Sequence, residues 1–90
     1  MSVPLGYQDV LGSLRRHLAA ATMEALPAFA SEDRLDELEA IDSIRLLEAI
    51  ALAEAEFGVL IDLDGLEEIE TLHDVVELLR RASPAHPRAT

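Results

Sequence analysis

The chain has 90 residues, half of them apolar but only three aromatic, and a formal net charge of -11 from 18 acids against seven bases. That size allows one domain with a modest core, and that charge disfavours nucleic acid or an anionic membrane as a partner. Without Cys there is no disulfide framework, thiolate metal site or thiol nucleophile; without a membrane-length apolar run or a basic-then-apolar leader, the sequence reads as a cytoplasmic protein.

Residues 1–6, with Pro4 and Gly6, read as a flexible lead-in. From there Tyr7, Val10, Leu11, Leu14, Leu18, Ala21 and Ala25 recur at steps of three and four. This predicts an amphipathic helix with Arg15, Arg16 and Glu24 off its apolar stripe. Pro27 disfavours helical angles at Leu26 and should end it. His17 falls beside the stripe with no second ligand at metal spacing, and reads as a surface or boundary residue. Residues 28–41 make a connection longer than is usual in a compact domain, with Phe29, Leu35, Leu38 and Ile41 spaced to pin it to a bundle.

The connection delivers the chain to Asp42-Ser43, either of which is suited to cap a second helix over 43–57. A phosphate on a hydroxyl at that place would lie against free N–H groups and the positive end of the helix dipole. Leu46, Ile50, Ala53 and Phe57 share one arc of this helix and are expected to face the core. Ile44, Leu47, Glu48, Ala51, Glu54 and Ala55 cover an adjacent arc, an aliphatic surface edged by carboxylates that suits docking. Residues 32–56 hold nine acids against Arg34 and Arg45, which favours partners with basic patches. Gly58 is placed to end the helix in the left-handed conformation.

Val59 to Leu63 reads as an extended link packed on the bundle, with no partner strand expected. Residues 64–70 predict a short third helix anchored by Leu66 and Ile69. Asp62-x-Asp64-Gly65 has neither the alternating ligands nor the closing Glu of a calcium loop. Thr71 and Asp74 form a capping box before Leu72, Val75, Val76 and Leu79, and Arg80-Arg81 close the last helix at its negative pole. Residues 83–90, with Pro84 and Pro87, read as a disordered tail. The expected fold is all-α, a small four-helix bundle of three longer helices and one short third helix.

Taken in register, Asp42-Ser43-Ile44, Glu48, Phe57, Ile69 and Thr71-Leu72 resemble the acyl carrier protein family, over about residues 7–82. The resemblance implies a carrier domain at 7–82 and a discrete, monomeric carrier. It implies that Ser43 bears 4′-phosphopantetheine from coenzyme A and that Asp42 belongs to the recognition motif of a phosphopantetheinyl transferase. Ile44, Leu47, Glu48, Ala51 and Glu54 fall where the family contacts partners, here an acyl-loading ligase or acyltransferase and acyl-processing enzymes. Acyl or aminoacyl groups would be carried as thioesters, and the protein itself would not be an enzyme. Ala40 stands where the family often has Gly, and Arg45 and Ala55 where it often has acids, which points toward a specialised acyl, polyketide or aminoacyl pathway. The competing reading is an acidic helical interaction module that carries no prosthetic group. A small enzyme finds no support, because the three His residues lack catalytic spacing and Ser43 sits in no nucleophile elbow.

Overall fold

The computed structural model describes residues 5–21, 30–37 and 41–84. Three α-helices, α1 (Tyr7–Ala21), α2 (Ser43–Phe57) and α3 (Leu72–Arg80), carry most of the fold, and α1 packs against both of the others. The predicted end of the first helix at Leu26-Pro27 lies outside the described residues, as do Phe29 and Leu38 of the connection.

The α1 stripe is the one the periodicity predicts. Val10, Leu11, Leu14 and Leu18 are buried, with Tyr7 and Ala21 at its margins. Ser13 is also fully buried, a polar residue that the stripe did not include. A buried hydroxyl is tolerated only when hydrogen-bonded, and Ser13 Oγ donates to Glu56 Oε1 at 2.8 Å. His17 Nε2 lies 3.0 Å from the same oxygen, and Arg16 bonds the other at 3.2 Å. The Ser13 bond first, then His17 and Arg16, holds the Glu56 carboxyl below the usual Glu range. This cluster fastens α1 to the C-terminal half of α2.

Ends of helices follow their capping residues. Asp42 caps α2 through Oδ1, which accepts from Arg45 N at 2.8 Å. Thr71 Oγ1 accepts from Asp74 N at 3.2 Å, and Asp74 Oδ2 accepts in return from Thr71 N at 3.0 Å, closing the predicted box. Asp74 also takes the N–H of Glu70 at 2.9 Å. That bond is the largest influence holding its carboxyl below the ordinary Asp range, with the Thr71 bonds adding to it. Gly58 ends α2 at φ 69°, ψ 36°, in the left-handed region that costs a residue with Cβ about 1–2 kcal/mol. Gly58→Ala should therefore lower the thermal midpoint by several degrees, since about 1 kcal/mol corresponds to roughly 4–8 °C in a domain of this size.

Two expectations need correction. Val59–Leu60 (β1) does have a partner strand, Ser83–Pro84 (β2), in an antiparallel ladder pairing Val59 with Pro84 and Leu60 with Ser83. The first two residues of the expected disordered tail are thus a strand; Pro84, which has no N–H, takes its last position. Residues 85–90 lie outside the described set. The short third helix is a 3-10 segment, Leu63–Glu68, so the α-helix count among the described residues is three. Its bonds run from Gly65 N to Asp62 O at 3.0 Å and from Ile69 N to Leu66 O at 3.3 Å, the tighter three-residue spacing. Asp62 caps it by accepting from Asp64 N. A Cβ at Gly65 would lie 2.6 Å from Leu78 Cδ1, so a larger residue there would have to displace the end of the Leu78 side chain.

The long connection is stitched to the start of α3. Leu35 N donates to Glu70 O at 2.8 Å, His73 N donates to Ser31 O at 2.8 Å, and Arg34 bridges Thr71. Tyr7 OH adds a polar link, 2.7 Å from His73 Nδ1 and 3.3 Å from Ser31 Oγ. Leu35, in a 3-10 turn over Leu35–Glu37, and Ile41 are buried, as their spacing predicts. Between these two anchors the chain is brought to the first turn of α2.

Candidate functional site

Ser43 is the first residue of α2 and is exposed. Of the two candidates for the cap, Asp42 takes the role, so the Ser43 hydroxyl is not used to hold the helix. Among the described residues it has no hydrogen-bond partner. An exposed hydroxyl at this end of a helix faces N–H groups that have no preceding carbonyl to bond and the positive pole of the dipole. These are the surroundings in which a phosphate ester is stabilised.

Beside Ser43 lies an open cleft of about 250 Å³. Leu35, Ile41, Leu46 and Ile69 give it an apolar floor, and Arg34, Asp36, Asp42 and Glu70 form its rim. Arg34 spans two of the acids. Its Nε and Nη2 bond the two oxygens of Asp36 at 3.2 and 3.1 Å, and its Nη1 lies 3.4 Å from Glu70 Oε2. The Arg34 hydrogen bond holds the Asp36 carboxyl below its ordinary range. Arg45 folds back toward the helix start, its Nη1 3.8 Å from Asp42 Oδ2.

The rest of α2 divides as its periodicity predicts, with refinements. Ile50 and Ala53 are buried, and Leu46 and Phe57 are half-buried against the core. Ala49, absent from the predicted arc, is fully buried between them. On the outer side Ile44 is 67% exposed and Leu47 49% exposed, with Glu48 and Ala51 also exposed. The structure thus groups Ile44, Leu47, Glu48 and Ala51 on one accessible surface that begins at Ser43. Leu52, 48% exposed, extends the apolar part of the outside beyond the predicted arc.

Glu54 differs from its neighbours. It is half-buried, and its Oε2 accepts the N–H of Ile61 at 2.8 Å, bracing the turn after Gly58. Neither this bond nor the engagement of Glu56 by Ser13 had a signal within α2 itself, because each partner is supplied by another element. The Arg45–Asp42 pair was visible in principle, being opposite charges at i,i+3. Among the described residues no group of three His, Asp or Glu side chains is placed to hold a metal ion, and no helix is long and apolar enough to cross a membrane.

A family model described as a phosphopantetheine attachment site matches residues 12–79, which span the last two thirds of α1, the site and nearly all of α3. No match was found among curated proteins or among solved structures.

Proposed function

Since this chain belongs to the phosphopantetheine attachment-site family, whose domain is the attachment site for covalently bound 4′-phosphopantetheine, we propose that Ser43 is the attachment residue of an acyl or aminoacyl carrier. The observation that supports this most directly is the division of labour at the helix start: Asp42 holds the cap and the Ser43 hydroxyl stands exposed, with no hydrogen-bond partner among the described residues. When bound, the group supplies the thiol that a chain without Cys lacks, on an arm able to carry thioesters. In loading, the Ser43 oxygen displaces adenosine 3′,5′-bisphosphate from coenzyme A, its proton passing to a base of the transferase. The N–H groups of the first turn of α2 favour the phosphate, and Asp42 marks the site for the transferase. The unit doing this is the domain at 7–82. The departures at Ala40, Arg45 and Ala55 favour a specialised acyl, polyketide or aminoacyl pathway over housekeeping fatty-acid synthesis.

Intact mass after incubation with coenzyme A, Mg²⁺ and a promiscuous phosphopantetheinyl transferase tests the assignment. A gain of one phosphopantetheinyl group, mapped by peptide analysis to Ser43, is expected. No gain would leave the unmodified interaction module as the better reading.

Partner enzymes would dock on the outer surface of α2, with Ile44, Leu47 and Ala51 as apolar contacts and Glu48 as the accessible acid. Glu54 joins them only if it releases the Ile61 N–H, so its main effect is expected on the stability of the turn. Desolvated anchors govern dissociation, whereas rim charges govern encounter and salt dependence. Ile44→Ala should speed dissociation from a cognate enzyme by about five- to tenfold, the effect of losing a contact worth roughly 1 kcal/mol or more. Glu48→Lys should instead slow association and flatten its salt dependence. Surface plasmon resonance across a salt series separates the two; wild-type kinetics in both variants would place the docking face elsewhere.

A further inference from the structure

The outer side of α2 offers less acid to a partner than its sequence suggests. Glu54 is held by the Ile61 N–H at 2.8 Å, and Glu56 by Ser13, Arg16 and His17 at 2.8, 3.2 and 3.0 Å. Glu48 is the remaining acid of the helix, exposed and with no hydrogen-bond or ion-pair partner among the described residues.

The surface around Glu48 is aliphatic. At about 100° per residue, Leu47, Ala51, Ile44, Ala55, Glu48 and Leu52 follow one another across roughly 140° of the helix. All of them are exposed, and Glu48 is the one charge among them. Leu52 is 48% exposed and lies on the side of Glu48 away from Leu47 and Ala51, so the carboxylate has aliphatic groups on both flanks. Large aliphatics exposed together mark an interaction surface.

This pattern selects the chemistry of the occupant. A broad basic patch laid on the face would bury several cations with one carboxylate to pair them, and an unpaired buried charge is costly. A second copy would bring an acid and a further net charge of -11. An apolar groove with one cation opposite Glu48 leaves no charge unpaired. It is the arrangement in which an amphipathic helix is held by a few aliphatic anchors. The face begins beside Ser43, and Leu52 lies nine residues along the axis from it, about 14 Å. An enzyme that reaches the Ser43 hydroxyl is brought over this surface.

Resting on the assignment of Ser43 as the attachment residue, we propose that the transferase that loads it receives α2 in an apolar groove with a single cation facing Glu48, and that Leu52 is the far anchor of this contact. Leu52 touches the partner and not the reacting atoms, and it determines which transferases accept the chain.

Calorimetric titration of the unloaded protein with a promiscuous phosphopantetheinyl transferase tests this on wild type, Leu52→Ala and Glu48→Gln, in about 0.1 M and about 1 M salt. Wild-type binding should show a negative heat-capacity change, the mark of buried apolar surface. Leu52→Ala should weaken binding by about five- to tenfold at both salt concentrations, while its thermal melt stays close to that of wild type. Glu48→Gln should weaken binding at low salt and much less at about 1 M, where the screening length is roughly 3 Å. Equal affinity of wild type and Leu52→Ala would overturn the anchor, and a loss confined to low salt would overturn the apolar groove. Self-association of wild type that is abolished in Leu52→Ala, measured by sedimentation, would give the face to a second copy and overturn the transferase as its occupant. Intact mass and peptide mapping test the attachment separately: no loading, or loading at another residue, would overturn the Ser43 assignment and this proposal with it.

Discussion

Ser43→Ala is expected to keep the stability of the wild type and to accept no phosphopantetheine at all. The side chain is exposed, makes no hydrogen bond among the described residues, and does not cap the helix it begins. Surface substitutions away from such features stay within about 0.5 kcal/mol, and Ala is at least as good a helix former as Ser. Asp42→Ala, by contrast, should lose stability. It removes the acceptor of the Arg45 N–H, a cap whose loss costs about 0.5–2 kcal/mol, or several degrees of thermal midpoint. Intact mass and thermal melts of the two variants therefore separate a residue kept for its chemistry from its neighbour kept for structure as well. A Ser43→Ala protein that still gained the cofactor mass would move the attachment site elsewhere.

The parts of this molecule that could be read from sequence are those whose cause is local. Asp42, Gly58 and the Thr71–Asp74 box act on backbone groups within a few residues of themselves; Gly58 and the box do so as predicted, and Asp42 is the one of two offered residues that takes the cap. The α1 stripe and the phase of α2 rest on a periodicity that neighbouring residues share. Asp42-Ser43 belongs with these, since a cap and a hydroxyl at a helix start are adjacent in sequence.

What was not legible depends on partners far along the chain. Ser13 is tolerated in the interior because Glu56, 43 residues later, accepts its hydrogen bond. β1 pairs with β2 across the whole of α3, in a ladder too short for any alternation of side chains to betray it. The connection before Ile41 is held by backbone bonds such as Leu35 N to Glu70 O, which leave no mark on side-chain pattern. Glu54 looked like a docking acid because its spacing is that of Leu47 and Ala51; its bond to Ile61 N depends on how the chain turns after Gly58.

Leu14→Ala should cause the largest loss of stability among the substitutions considered. Leu14 is fully buried near the middle of α1, the helix that packs against both α2 and α3. Truncating such a residue removes its transfer free energy and leaves a cavity that rigid neighbours close only in part, a cost of about 2–5 kcal/mol. A domain of this length has roughly 5–13 kcal/mol in total, so the variant loses a large share of its margin. Phe57→Ala makes the informative comparison. Its ring packs against the core but is half-exposed at the end of α2, so it should fall short of the roughly 3–5 kcal/mol of a fully buried Phe. Leu47→Ala, on the exposed side of the same helix, should change stability by no more than about 0.5 kcal/mol. Urea midpoints should therefore fall in the order Leu47→Ala, Phe57→Ala, Leu14→Ala. A Leu47 effect as large as that of Leu14 would mean that α2 is rotated, with its supposed docking side turned into the core.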